Sequence, residues 1–160
     1  MSTYDCDLIT KFAAARLNQS SGVVDGDDKS GVLLYATTRY TFTGSEAVND
    51  TFNLAYLPKG AVPVPQLSHA SHDGTGATAL TLNIGDGGTA LIAANATRYA
   101  AGISIGGATA QSTPFQGGAC ATVPNRLTEP TKLVATLATK TGSITAGKVL
   151  CVTIAYRVKG

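Results

Sequence analysis

From Lys148 to Lys159 the chain alternates without a break. Leu150, Val152, Ile154, Tyr156 and Val158 fall on one side, and Cys151, Thr153, Ala155 and Arg157 on the other. A period of two belongs to a β-strand with one face in a core; wound as a helix, the same residues would scatter their apolar groups around the whole cylinder. A half-buried strand needs a second layer to cover its apolar face. The pattern recurs upstream: Leu34, Ala36, Thr38, Tyr40 and Phe42 share one face of a first strand, and Phe52, Leu54 and Tyr56 one face of a second. Leu80, Leu82 and Ile84, then Leu133, Ala135 and Leu137, repeat it, and Ile103 and Ile105 open a further strand.

The breaks between these runs are turn chemistry: Gly44-Ser45-Glu46, Pro58-Lys59-Gly60, Gly85-Asp86-Gly87-Gly88, Thr141-Gly142 and Ala146-Gly147. Pro63 and Pro65 lie in an extended stretch and cannot donate ladder hydrogen bonds, which suits an edge strand or a strand crossing between sheets. Residues Ala90 to Ala101 are expected to hold a brief helical turn, and the Gly-rich region 106–119 shows no clear period. About eight short strands with almost no helix describe an all-β, antiparallel β-sandwich, and the jelly roll is the commonest closure for that number. No repeat of fixed period points to a propeller or solenoid.

Residues 1–31 read differently from the β-sandwich expected over 32–160. Asp7 suits the cap of a short helix with Leu8, Phe12 and Ala15 on one face, followed by a linker, Asp25-Gly26-Asp27-Asp28-Lys29-Ser30-Gly31. So short a helix is marginal alone, so this segment either folds onto its own domain or serves as an arm that lies on a neighbour.

Composition closes several functional classes. Charged residues are only 14% of the chain, against the usual one quarter or so, and the net charge is +2, so there is no concentrated basic stripe for nucleic acid. No 18-residue apolar run suggests a membrane span. Cys6, Cys120 and Cys151 are odd in number and lack C-x-x-C spacing, which suggests neither a disulfide framework nor a zinc site. With no secretory pattern at the N-terminus, synthesis in a reducing cytoplasm is expected.

Each candidate for chemistry has a plainer explanation. Gly102-Ile103-Ser104-Ile105-Gly106 matches G-x-S-x-G, but the flanking isoleucines belong to a strand and no helix pattern follows, so no nucleophile is expected. His69 and His72, beside Asp73, fall on opposite faces of an extended strand and are expected as exposed loop-end side chains rather than metal ligands. The Asp25 segment carries Lys29 and Ser30 where a calcium loop needs a ligand and a glycine, and Gly85-Asp86-Gly87-Gly88 lacks the lysine of a phosphate loop. No catalytic residue, cofactor or metal site is expected, and the chain does not read as an enzyme.

Two blocks carry a resemblance. Arg39-Tyr40-Thr41-Phe42-Thr43-Gly44-Ser45-Glu46 leads into Asn49-Asp50-Thr51-Phe52-Asn53-Leu54, Leu57-Pro58-Lys59-Gly60-Ala61 and Pro65-Gln66-Leu67, and Ala146-Gly147-Lys148 leads into the closing strand. With Leu80-Thr81-Leu82-Asn83-Ile84-Gly85-Asp86 and Arg98-Tyr99-Ala100-Ala101-Gly102, these resemble the capsid decoration, or cement, proteins of tailed bacteriophages, over roughly residues 33–160. The resemblance implies a sandwich or jelly roll on the outer capsid surface of the virion, commonly a homotrimer, whose partner is the major capsid protein and which bridges neighbouring capsid subunits. It brings no active-site residues. Leu8, Phe12 and Leu17 of the arm are then the candidate capsid or subunit contacts, since apolar groups on a short helix need a cover. The alternative is a carbohydrate- or receptor-binding module of a phage particle. Such sites favour aromatic platforms, and this chain has no Trp and 6% aromatic residues, leaving Tyr4 or Tyr99 as the candidates.

Overall fold

The computed structural model describes residues 32–90, 93–118 and 126–158. They form nine strands: β1 (Leu33–Thr41), β2 (Thr51–Leu57), β3 (Ala61–Pro63), β4 (His69–His72), β5 (Ala79–Asp86), β6 (Asn95–Ser104), β7 (Gln111–Pro114), β8 (Thr131–Thr141) and β9 (Val149–Val158). One sheet has the order β1-β9-β4-β7 with β3 also on β9, the other β2-β8-β5-β6, and every pairing is antiparallel. The pairs are nested: β1 with β9, β2 with β8, β4 with β7, β5 with β6. A ribbon folded back on itself and then rolled into two sheets has this pairing, so the sandwich is a jelly roll.

β3 and β4 behave as one strand interrupted. Both run along the same side of β9, meeting residues 156–158 and 150–153 respectively, with a 3-10 turn at Pro65–Leu67 between them. The prolines explain the break: Pro63 ends β3, and Pro65, with no N–H to donate, opens the turn. Counted this way the strands number eight, as the alternation predicts.

The core lies between the sheets and is built from the alternating residues. Leu80, Leu82 and Ile84 of β5 and Leu133, Ala135 and Leu137 of β8 are fully buried, and Leu150, Val152, Ile154 and Tyr156 of β9 face them from the other sheet. Each such aliphatic side chain contributes about 1.5–3 kcal/mol by leaving water. Ala36, Thr38 and Phe42 of the β1 segment are buried as their spacing requires.

Two expectations are corrected. Tyr56 is exposed rather than inward, because a β-bulge between Asn53 and Tyr56 adds a residue, burying Ala55 and Leu57 in its place. The stretch before Ile103 holds strand β6 from Asn95 onward, not a helical turn. Its alanines favour a helix in isolation, but pairing with β5 and the Ala101 N–H donated to Gln116 O at 2.9 Å override that preference. The Gly-rich region without a period supplies β7, where only Thr113 points inward. The β5–β6 pair also explains Gly85, since a Cβ there would collide with the backbone of Asn95 and Ala96.

The bulge makes a sharp prediction. Leu57→Ala should cost about 2–5 kcal/mol of unfolding free energy, whereas Tyr56→Ala should stay within about 0.5 kcal/mol. Urea titrations of both variants check this, and equal losses would place Tyr56 in the core after all.

Candidate functional site

The open side of the sandwich, where β1 ends one sheet and β2 ends the other, carries a cleft of about 320 Å³. Its floor is apolar, with Phe52, Leu54, Leu150 and Val152, and its rim polar, with Arg39, Asn49, Asp50 and Asn53. The two sheets are tied together beside it by Thr38, whose hydroxyl donates to the Leu54 carbonyl at 2.6 Å. An aromatic cluster fixes one wall: the Tyr40 ring lies 5.5 Å from that of Phe42 and 4.4 Å from that of Phe52.

Glu46 holds the β1–β2 loop in place. Its Oε1 accepts from the Thr43 N–H at 2.5 Å, the Thr43 hydroxyl at 2.9 Å and the Tyr40 hydroxyl at 2.9 Å, and Oε2 accepts from the Gly44 N–H at 3.0 Å. The Lys140 ammonium donates to the Glu46 carbonyl at 2.5 Å, linking the loop to β8. Burial pushes the Glu46 carboxyl up, but the donors from Thr43, its own N–H and Tyr40 outweigh it and hold the group below the ordinary value of 4.5. The sequence marks Glu46 only as a turn residue; the one local signal is a threonine three positions before it.

The outer face of the β1-β9-β4-β7 sheet is weakly charged. One cross-strand row is Thr37, Thr153, His69 and Pro114, and the next Arg39, Cys151, Ser71 and Ser112. The Thr37 and Thr153 hydroxyls meet at 3.1 Å. Across the molecule, Thr81 and Thr139 form the same pair on the other sheet at 2.7 Å.

The residues singled out for chemistry are dispersed. Ser104 is an exposed strand residue at the end of β6 between buried Ile103 and Ile105, and both histidines lie on β4 in the opposite sheet. His69 and His72 do face opposite ways, but His72 is buried rather than exposed, because the alternation of β4 turns it inward. Its Nδ1 accepts the Gly74 N–H at 3.1 Å, which places the proton of the neutral ring on Nε2. Burial pushes the His72 pKa down, with the Asp73 carboxylate opposing. Asp73 itself accepts the Val149 N–H at 2.8 Å. No three ligand-type side chains converge on a metal-sized site among the described residues.

Asp86, expected within a turn, is instead the buried end of β5; its carboxylate pairs with the Arg98 Nε–H and accepts the Gly88 N–H at 3.1 Å. Tyr99 is buried, which removes it as a sugar platform. The exposed tyrosines among the described residues are Tyr35 and Tyr56, in different sheets. Leu8, Phe12, Leu17, Tyr4 and the Asp25–Gly31 linker lie outside the described residues.

Comparison with known proteins gives fold and not family. No protein-family model and no curated protein matches the chain. Among solved structures, a chain of the cyanophage Pam1 capsid asymmetric unit is similar with a TM-score of 0.55 and 21% identity, covering 88% of this chain and 94% of that one. A chain of the capsid of Ralstonia phage GP4 is similar with a TM-score of 0.58 and 19% identity, covering 89% and 92%. The likeness runs nearly end to end in both directions, so the whole jelly roll is shared.

Two titrations should be visible in stability. A folded-state pKa below the unfolded value means that the unfolded chain binds more protons, so stability falls as pH drops through that window. For His72 the loss begins as pH falls below 6.5, and for Glu46 below 4.5, each completing at its lower folded value. Urea unfolding from pH 8 to 3 should show both steps. Glu46→Gln should remove the second and cost about 1–3 kcal/mol at pH 7; an unchanged acid limb would contradict the assignment.

Proposed function

We propose that this chain is a structural protein of a tailed-phage virion, made in the host cytoplasm, which binds the outer surface of the icosahedral head and cements neighbouring copies of the major capsid protein. The observation that carries the reading is the two-way coverage between this jelly roll and chains of phage capsid structures. The strand-and-turn blocks described above point the same way. The chemistry of the faces suits a cementing role, because rows of Thr, Ser and Ala can be buried against another protein with little of the desolvation cost that charged groups impose.

The protein acts as a homotrimer at threefold or quasi-threefold positions. A single neutral β-face binds weakly, but linked copies that engage adjacent subunits turn later contacts into intramolecular ones, which raises retention by orders of magnitude. Residues 1–31 serve as the arm that reaches the capsid or a neighbouring copy, with Leu8, Phe12 and Leu17 as its apolar contacts.

Co-sedimentation with heads lacking the protein tests this reading. Full-length protein should saturate the heads and raise the temperature at which they open, while a chain without residues 1–31 should fold but fail to remain attached. Wild-type protein that stays in the supernatant yet binds a glycan array would favour the carbohydrate-binding alternative instead.

A further inference from the structure

An antiparallel strand directs the backbone groups of alternate residues to opposite neighbours. On β9 the odd-numbered residues face β3 and β4: Val64 N–H donates to Ala155 O at 2.8 Å, Ala155 N–H to Ser68 Oγ at 2.9 Å, and Asp73 N–H to Val149 O at 3.3 Å. The even-numbered residues therefore face β1, where the register sets them opposite Leu34, Ala36, Thr38 and Tyr40. The Phe42 N–H, donated to Lys148 O at 2.8 Å, continues that phase. The N–H and C=O groups of Leu33, Tyr35, Thr37, Arg39 and Thr41 point the other way, along an edge that no strand pairs with among the described residues.

The remaining edges are each protected. β2 is broken by its bulge, and β6, whose register on β5 shifts twice, is met midway by the Ala100–Gly117 bridge. β7 has 4 residues and contains Pro114; β3 has 3, and its Ala61 carbonyl accepts the Leu127 N–H at 2.8 Å. β1 combines a length of 9 residues with an unshifted register, no proline and a single charge, Arg39. An edge without these devices is a template for a further strand. The cleft floored by Phe52, Leu54, Leu150 and Val152 opens beside it and would take the inward side chains of such a strand.

A segment of matching pattern lies upstream. The segment read above as a short helix also has a period of two: Tyr4, Cys6, Leu8, Thr10 and Phe12 alternate with Asp5, Asp7, Ile9 and Lys11, over a length equal to that of β1. Return to its own β1 would need a loop of only about two to five residues. The connection over residues 13–31 is far longer, and extended it reaches about 60 Å, enough to arrive at a neighbouring copy. We propose that Tyr4–Phe12 of one copy adds as an edge strand to β1 of the next, with Tyr4, Cys6, Leu8 and Phe12 entering the cleft and Asp5 and Asp7 on the outer face beside Arg39. The contact is heterologous, and the homotrimer proposed above would close it into a ring. This inference rests on the arm reading above and names the arm's receptor as the β1 edge of a second copy.

Proline substitution at Thr37 tests it cleanly. The Thr37 N–H faces outward, so Thr37→Pro removes no backbone bond to β9, only the hydroxyl contact with Thr153 that Thr37→Val also removes, but blocks an incoming strand. The full-length variant should keep its circular dichroism, self-associate at least about tenfold more weakly by light scattering, and lose protection of residues 1–31 from protease. Thr37→Val should retain both properties. Leu8→Asp, which puts a charge on a side chain assigned to the apolar cleft, should reproduce the loss and serves if Thr37→Pro does not fold.

Mixing Thr37→Pro, with an intact arm, and Leu8→Asp, with an intact edge, should restore pairing between copies. Absence of any hetero-association in that mixture, unchanged assembly of both variants, or a monomeric wild type with a protected arm would each overturn the proposal. The arm reading is judged separately on heads. If deleting residues 1–31 releases the protein while Thr37→Pro still assembles, strand exchange fails and the arm stands. If the deletion stays bound, the arm reading itself fails.

Discussion

The ladder between β1 and β9 is the constraint on which the rest of this protein depends. It joins the two ends of the described chain, so that Thr37 and Thr153 touch across a separation of 116 residues. Inside it the other pairs nest in order, down to the β5–β6 pair at the centre of the ribbon. Closing so long a loop is entropically costly and is offset only when both faces of the ribbon meet and bury their alternate residues. β9 therefore carries a double duty: it pairs on both sides, and its inward Leu150, Val152, Ile154 and Tyr156 supply one wall of the core.

That architecture leaves the polar groups of the chain little freedom. Where charge is buried it is tied to backbone at loop roots: Glu46 gathers donors from Thr43 and Gly44 at the β1–β2 loop, and Asp86 joins Arg98 and Gly88 at the end of β5. Both carboxylates stabilise turns that a strand pairing alone would leave loose. The outward faces are left to threonine, serine and alanine; the β-branched threonines favour the strand conformation, and their hydroxyls pair with one another across strands. A surface of this kind suits close contact with another protein more than it suits chemistry on a small molecule.

How far the chain can be read in advance follows from the range of each interaction. The strands at residues 33–41, 79–86, 131–141 and 149–158 are legible because their alternation is uninterrupted, and the two-layer sandwich follows from them. β6 escapes such a reading because its Ala-rich start has no period of two, and only its partners on either side make it extended. Tyr56 is misplaced by the bulge, which inverts the facing of every residue after it. His72 reads as a loop end because β4 is only 4 residues long, too short to show a pattern. Glu46 and the Asp86–Arg98 pair lie in stretches whose composition is that of solvent-exposed turns, and nothing in a turn's composition announces which carboxylate will be enclosed.

By itself, then, the order of residues determined that this chain is a set of half-buried strands with weakly charged outer faces, because side-chain alternation is a local property of extended backbone. Tertiary structure decided the remainder: the nesting of the pairs, the bulge that turns Tyr56 outward, the enclosure of Glu46 and His72, and the unpaired edge of β1 beside an apolar cleft. These depend on which strand lies next to which, and hydrogen bonds between residues far apart in the chain leave no signature in the segments that form them.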